Sequence, residues 1–347
     1  MAKRLRLGRI MFMACAVALI AIIFAGGYLL LSRPAAIYPS IHPVQVEGGT
    51  YRNVGMSFRF EGANRSISIP VNGTVYYGAR ATNKEALLSH DIPDSIFIPA
   101  YYLSFLSDPN QEEFFRELSG AFRGLREGTS LDDDESLEMM AVAVQALPYE
   151  TDGTLTPPKY PIETYTDGTG DCDDKSLLLA GLLAREGYGV ALFYFGAETH
   201  MAVGIKGYGC EYAGTGYGYV ATTNVSLVGV PETNLAGGVN LTSTPLVIPV
   251  ANGTRLYGAC QQTRAIGKAL ERTGDRAVSL SKDLATLSAR MNELRSQGRF
   301  GEYNQIAAQY EKAVADFNDN ALAHNYILDH QDDRKGTYAW LGARALV

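Results

Sequence analysis

The chain has 347 residues, of which 46% are hydrophobic, and a formal net charge of −7; four basic residues among the first nine leave −11 on the remainder. An acidic chain with no basic run beyond its start is not built to neutralise phosphates, which argues against nucleic-acid binding. Four cysteines are few for a disulfide-built scaffold, and no Cys/His cluster has zinc spacing and no Gly-rich loop has a phosphate-cradling pattern, so neither metal nor cofactor is expected.

Residues 1–9 form a basic tail with Lys3, Arg4, Arg6 and Arg9. Ile10 to Leu31 then run without a charge. At ~1.5 Å per residue such a run covers about 33 Å, the thickness of a bilayer core. Arg33 is the only nearby charge beyond it, so the positive-inside bias predicts a single-pass membrane helix with the N-terminus cytoplasmic and the main domain outside. A cleaved signal peptide is the competing reading, but its apolar core is usually ~7–15 residues. Five Asn-x-Ser/Thr acceptor triplets, at Asn64, Asn72, Asn224, Asn240 and Asn252, all fall on the predicted outer side.

After a linker (32–43), residues 44–82 read as a small β region. Met56 to Phe60 and Ser66 to Pro70 alternate apolar with polar, and Asn72-Gly73 reads as a hairpin turn before Thr74 to Tyr77. From about residue 84 the pattern becomes helical. Pro109 suits the first turn of a helix through Leu125, with Phe114, Phe115, Leu118 and Phe122 on one face. A second helix opens near Ser130 and runs to Pro148. Asp132, Asp133, Asp134 and Glu135 favour its positive end and read as a solvated start rather than a metal motif.

Thr151 to Thr169 is rich in Pro and Gly and reads as a loop, with Tyr160 and Tyr165 either lining a groove or packing. It delivers Gly170-Asp171-Cys172-Asp173-Asp174-Lys175-Ser176. Asp171 is a natural N-cap, and Leu177, Leu178, Leu179, Leu182 and Leu183 carry a helix to Gly187. A thiol at a helix start meets unpaired N–H groups that favour thiolate, while the three acids oppose them. His200 opens the strand-like run Met201 to Ile205, after another at Val190 to Phe195. A helix-start cysteine with an imidazole on a neighbouring strand is the layout of a thiol nucleophile.

Val144 to Tyr149, Tyr160 to Thr164, Gly170 to Ser176 and His200 to Gly204 together resemble the core of the transglutaminase-like superfamily, specifically its membrane-anchored archaeal-type members of unassigned function. The resemblance covers about residues 95–235. It implies an α+β, papain-like core over 83–252, with Cys172 as nucleophile and His200 as base and then acid. Gln145 is offered as an oxyanion donor, or it faces solvent. Such families place an acid on the strand after the histidine strand, where this chain has Ala221. Asn224, Thr222 and Glu211 are the candidates to orient the imidazole instead.

Cys15 lies in the apolar run; of the other three, a Cys210–Cys260 pair would leave Cys172 free, although spacing alone does not choose the pair. Residues 253–347 change character. Ile266, Leu270, Thr273, Ala277, Leu280, Leu284, Leu287, Met291 and Leu294 form a heptad seam, and a break at Ser296 to Gly301 precedes a second from Tyr303 to Ile327. An antiparallel helical hairpin follows, in which Asn320 and His324 fix register rather than bind metal, and which offers a surface for a homo-oligomer. Tyr338, Trp340 and Leu341 are positioned to dock back on the body.

Two functions are expected from this pattern. One is an outward-facing thiol enzyme acting on peptide or isopeptide amides of cell-surface protein or polymer, by hydrolysis or transfer. The other is a catalytically inactive binding or assembly module that keeps the fold without the triad acid. A buried, purely structural Cys172 is the third and blandest reading.

Overall fold

The structure, a computed structural model, describes residues 36–46, 50–89, 91–150, 156–232 and 240–347. The basic tail and the apolar run 10–31 lie outside the described residues; among those described, no helix is long and apolar enough to cross a membrane.

The fold is mixed helix and sheet, as expected for an α+β chain. A short strand β1 (Ala36–Ile37) is followed by β2 (Tyr51–Phe60) and β3 (Ala63–Asn72), which pair antiparallel over their whole length, from Tyr51↔Asn72 to Phe60↔Ala63. Strict alternation sends Met56, Phe58, Phe60, Ile67, Ile69 and Val71 to one face. That face shares a single apolar core with the helices that follow, so this region packs on the main body.

The turn of the hairpin is Glu61-Gly62, not Asn72-Gly73. Asn72 instead N-caps a helix, α1 (Gly73–Ala81), by accepting from the Thr74 N–H at 3.1 Å. An Asn-Gly pair serves a turn or a helix start equally well, and the amide accepted here decides for the helix. Gly78 lets α1 lie against the linker: a Cβ there would come within 2.4 Å of the His42 carbonyl oxygen.

A second short strand, β4 (Leu87–Leu88), pairs with β1. Then come α2 (Asp94–Ser107), a 3-10 turn (Pro109–Gln111), α3 (Glu112–Thr129) and α4 (Asp133–Gln145). The four apolar residues expected on one face of α3 are all buried. The acids that open α4 are only partly a solvated start. Asp132 and Glu135 form a capping box, and Glu135 is buried and paired with Lys335 at 2.5 Å. Asp133 pairs with Arg126 and Arg255, and Asp134 accepts from the Gly258 N–H, so this end receives the C-terminal part of the chain.

The expected 151–169 loop contains a helix, α5 (Pro161–Asp167), begun by Pro161 and by Glu163 bonding back to the Tyr160 N–H at 2.9 Å. Tyr160 and Tyr165 are fully buried packing residues; Tyr160 lies on Phe105 and Tyr165 donates to the Val54 carbonyl. Next come α6 (Cys172–Arg185) and the antiparallel strands β5 (Gly189–Phe195), β6 (His200–Ile205), β7 (Gly218–Val220) and β8 (Leu246–Asn252), in the order β7-β6-β5-β8. The central helix α6 packs on β5 and β6, and Leu177, Leu178, Leu179, Leu182 and Leu183 have no exposure.

Cys210 and Cys260 form a disulfide with Cα atoms 5.1 Å apart, and Cys172 is the free cysteine among the described residues. The link ties the loop after β6 to the start of α7 (Cys260–Ser296), closing a separation of 50 residues. A loop of that size is worth about 4 kcal/mol in the chain-entropy picture. The double variant Cys210→Ala/Cys260→Ala is expected to lose about 2–4 kcal/mol in urea unfolding; an unshifted midpoint would contradict the bond.

Helices α7 and α8 (Phe300–Asp329) form the expected antiparallel hairpin. Its polar seam residues meet at Thr273: Asn320 donates to the Thr273 carbonyl at 2.8 Å, and His324 Nδ1 lies 3.0 Å from its hydroxyl. One turn of register shift would strand both groups, which is how polar seam positions fix alignment. The last helix, α9 (Arg334–Gly342), docks back through Leu341 on Ile266 and Ile327, and Trp340 stacks on Tyr326. Buried Arg334 pairs with buried Glu138 of α4 at 2.5 Å, and Tyr257 donates to the same carboxylate.

Candidate active site

Cys172 is the first residue of α6, and its N-cap is built as the sequence suggests. Asp171 accepts from the Asp174 N–H at 3.2 Å, and the Asp174 carboxylate accepts from the Asp171 N–H at 3.3 Å and the Lys159 N–H at 2.6 Å. This reciprocal box fixes the direction of the helix start and hence of the thiol. Cys172 retains 9% exposure. Its Sγ lies 4.0 Å from the Thr199 carbonyl oxygen, and the Met201 N–H and Tyr149 hydroxyl also hydrogen-bond it. The fold therefore brings the thiol against the backbone on both sides of His200.

Burial, and then the charges of Asp173 and Asp171, push the Cys172 thiol up to about 12. The helix start and the Met201 and Tyr149 donors act in the opposite sense and are outweighed. Asp173 is itself driven up, first by burial and then by its hydrogen bond and repulsion with Asp171. The three carboxylates lie within 4.8 Å of one another, but two of them are occupied by the capping box.

His200 is buried on β6, and its Nε2 lies 3.2 Å from the Tyr219 hydroxyl and 3.5 Å from Oε2 of Glu232. Tyr219 donates to Glu232 at 3.3 Å, and Thr223 donates to the same oxygen at 3.3 Å. With the phenol proton directed to Glu232, both oxygens facing Nε2 are acceptors. They select the Nε2–H tautomer, in which Nδ1 keeps its lone pair.

The expected orienting residues do not take this place. Asn224 is exposed. Thr222 is buried but bonds to Ser176 at 3.0 Å and to the Cys172 carbonyl. Glu211 accepts from the Gly216 N–H on the surface. Ala221 is fully buried in a small apolar cluster with Phe193, Phe195 and Tyr219. The carboxylate at His200 comes from Glu232, beyond β7 in a stretch without strand periodicity. No sequence signal distinguished it from any other loop acid.

Gln145 is not directed at the thiol. Its amide nitrogen donates to the carbonyls of Ala221 and Ser226, at 2.8 and 3.2 Å, and its oxygen accepts from the Ser226 N–H at 3.2 Å. With both ends of the amide committed to the 221–226 loop, it is a brace and neither an oxyanion donor nor a solvent-facing group.

Beneath it lies Lys175, fully buried one turn into α6. Its ammonium donates to the carbonyls of Gln145 and Leu147 at 2.9 Å each and of Thr223 at 3.2 Å. Burial lowers it to about 8, against the attraction of Glu232 and Cys172. This single cation ties the end of α4, the start of α6 and the strand-β7 loop together behind the site.

No family model, curated protein or solved structure matches the chain.

Proposed function

We propose that the protein is a membrane-anchored, outward-facing thiol enzyme of transglutaminase-like type, acting on peptide or isopeptide amides through Cys172 and His200. The observation that carries the reading is the carboxylate–tyrosine pair behind His200, with Glu232 Oε2 at 3.5 Å and the Tyr219 hydroxyl at 3.2 Å from Nε2. Two acceptors at Nε2 favour the Nε2–H tautomer and leave the Nδ1 lone pair free, as a general base acting on Cys172 through Nδ1 requires.

With the thiol pushed up to about 12, resting thiolate is not the nucleophile. His200 takes the proton as sulfur attacks the amide carbonyl, and the imidazolium is stabilised by Glu232. The oxyanion meets the Tyr149 hydroxyl, which lies beside the sulfur and also accepts from the Cys172 N–H. His200 then gives its proton to the leaving amine, and a thioester remains on Cys172. Water or an amine resolves the thioester, so hydrolysis and transfer share this half-reaction.

The carboxylate is tested by Glu232→Gln and Glu232→Asp, read as burst hydrolysis of p-nitrophenyl acetate across pH. Glu232→Gln is expected to lower acylation by about 10²–10⁴-fold, with Glu232→Asp restoring part of it. Equal rates in all three proteins would remove Glu232 from the mechanism. A non-catalytic binding module is the second reading, favoured by the raised thiol and by Ala221; acyl adducts on Cys172 would exclude it.

A further inference from the structure

Four large apolar side chains on β1, β4 and the first turn of α2 are exposed. Ile37 is 67% exposed, Leu87 61%, Ile96 60% and Leu88 45%. Singly they would need no explanation. They are not single: Ile37 and Leu87 are direct partners across the β1–β4 pair, and Ala36 faces Leu88. The first turn of α2 is held to the same place by the Tyr38 and Phe97 rings, 6.2 Å apart. Beside the pair lies an open groove of about 420 Å³ whose lining includes Ile37, Tyr38, Val44 and Leu87 together with the polar groups of His42 and Glu85.

We propose that this edge lies in the outer interfacial layer of the bilayer that residues 10–31 span, giving the enzyme a second membrane contact; the inference rests on the anchored reading above. Chain length makes the argument. From Leu31, the last apolar residue of the run, to Ile37 is six residues, which fully extended reach no more than about 20 Å. A body tethered so closely must turn some face to the headgroups, and the face at the tether carries the Ile37–Leu87 pair, with Ile96 held nearby through the Tyr38–Phe97 contact, while Leu88 points to the other side of its strand. The charges closest to it along the chain are Arg33 in the tether and Glu85, Asp91 and Asp94, with Lys84 already paired to Glu163. An acidic rim gains nothing from anionic lipid, so apolar insertion supplies the affinity and the contact is insensitive to salt.

The edge also sets where the chemistry happens. Tyr102 follows Ile96 by six residues on α2, about 9 Å along the axis, and Tyr102 lies close to Cys172. A thiol that near the docked edge would meet amides of membrane-proximal segments of surface protein or polymer.

The test uses the full chain with Cys15→Ala and Cys172→Ala, reconstituted in phosphatidylcholine vesicles with brominated acyl chains. A nitrobenzoxadiazole probe is placed on a single added thiol, by Ile96→Cys, Leu87→Cys or, as a remote control, Tyr208→Cys, which is 69% exposed. The probes at 96 and 87 are expected to be quenched at least about twofold more than the control, unchanged by 0.5 M salt. Equal quenching at all three sites overturns the proposal. So does shielding of the 96 probe from iodide in detergent without lipid, which would mean a cover made by a second copy or by residues 1–35. Alkaline carbonate extraction separates the two layers of argument: a chain released by carbonate sinks the anchored reading itself, whereas a retained chain with unquenched probes sinks this inference alone.

Discussion

Cys172→Ala and His200→Ala are each expected to reduce acylation by p-nitrophenyl acetate by about 10³–10⁴-fold, with the unfolding midpoint of Cys172→Ala near that of the parent chain. The two losses should be far from additive. A thiol held up to about 12 by burial and by Asp173 and Asp171 has little thiolate at neutral pH without a base, and the base has no task without the thiol. The double variant should therefore resemble either single one. Stability should hold because Cys172 buries little volume and because the capping box that organises the helix start involves Asp171 and Asp174, not the thiol. Two independent, multiplying losses would mean that the residues act at separate sites.

Lys175→Met is expected to cost about 3–5 kcal/mol, the largest stability effect of any single change in the site region. Methionine matches the stem in length and apolarity, so packing is nearly conserved and the loss is electrostatic. The three carbonyls of Gln145, Leu147 and Thr223, which converge on one ammonium, would be left without their donor in a place water does not reach. Each buried acceptor left unmade costs about 1–3 kcal/mol, and relaxation recovers part of the sum. In thermal unfolding this corresponds to a fall of roughly 10 °C for a domain of this size. Activity should fall with it, since the same cation holds the loop that carries Thr223 towards Glu232. A midpoint within about 1 kcal/mol of the parent would mean that the carbonyls find other donors and that Lys175 is no keystone.

The contacts behind these two effects differ greatly in how readable they are from the chain. The helix start at Cys172 was legible because its signal is local: an N-cap aspartate, a partner acid three residues on, then a leucine stripe. The strand at His200 and the α7–α8 hairpin were legible through periodicity, and Asn320 and His324 met a partner on the facing helix as seam residues should. The Asn72-Gly73 turn was misread because a local motif has two uses and the choice belongs to what packs nearby. Gln145, Glu232 and Lys175 were misassigned or missed for a different reason. Their roles depend on which backbone groups converge from residues 145, 147, 221, 223 and 226, a tertiary fact with no periodic or local trace. An orienting acid on a loop after β7 is invisible until the loop is seen to fold over β6.

The pH dependence of Cys172 alkylation by iodoacetamide, in the parent chain and in His200→Ala, tests the central claim most directly. If the imidazole serves the sulfur, the parent thiol reacts at pH 7.5 at least about tenfold faster than the His200→Ala thiol. The variant's rate should climb only towards strongly alkaline pH, as a thiol with its pKa pushed up to about 12 requires. Identical slow profiles for the two proteins would contradict the account and leave Cys172 a buried structural residue.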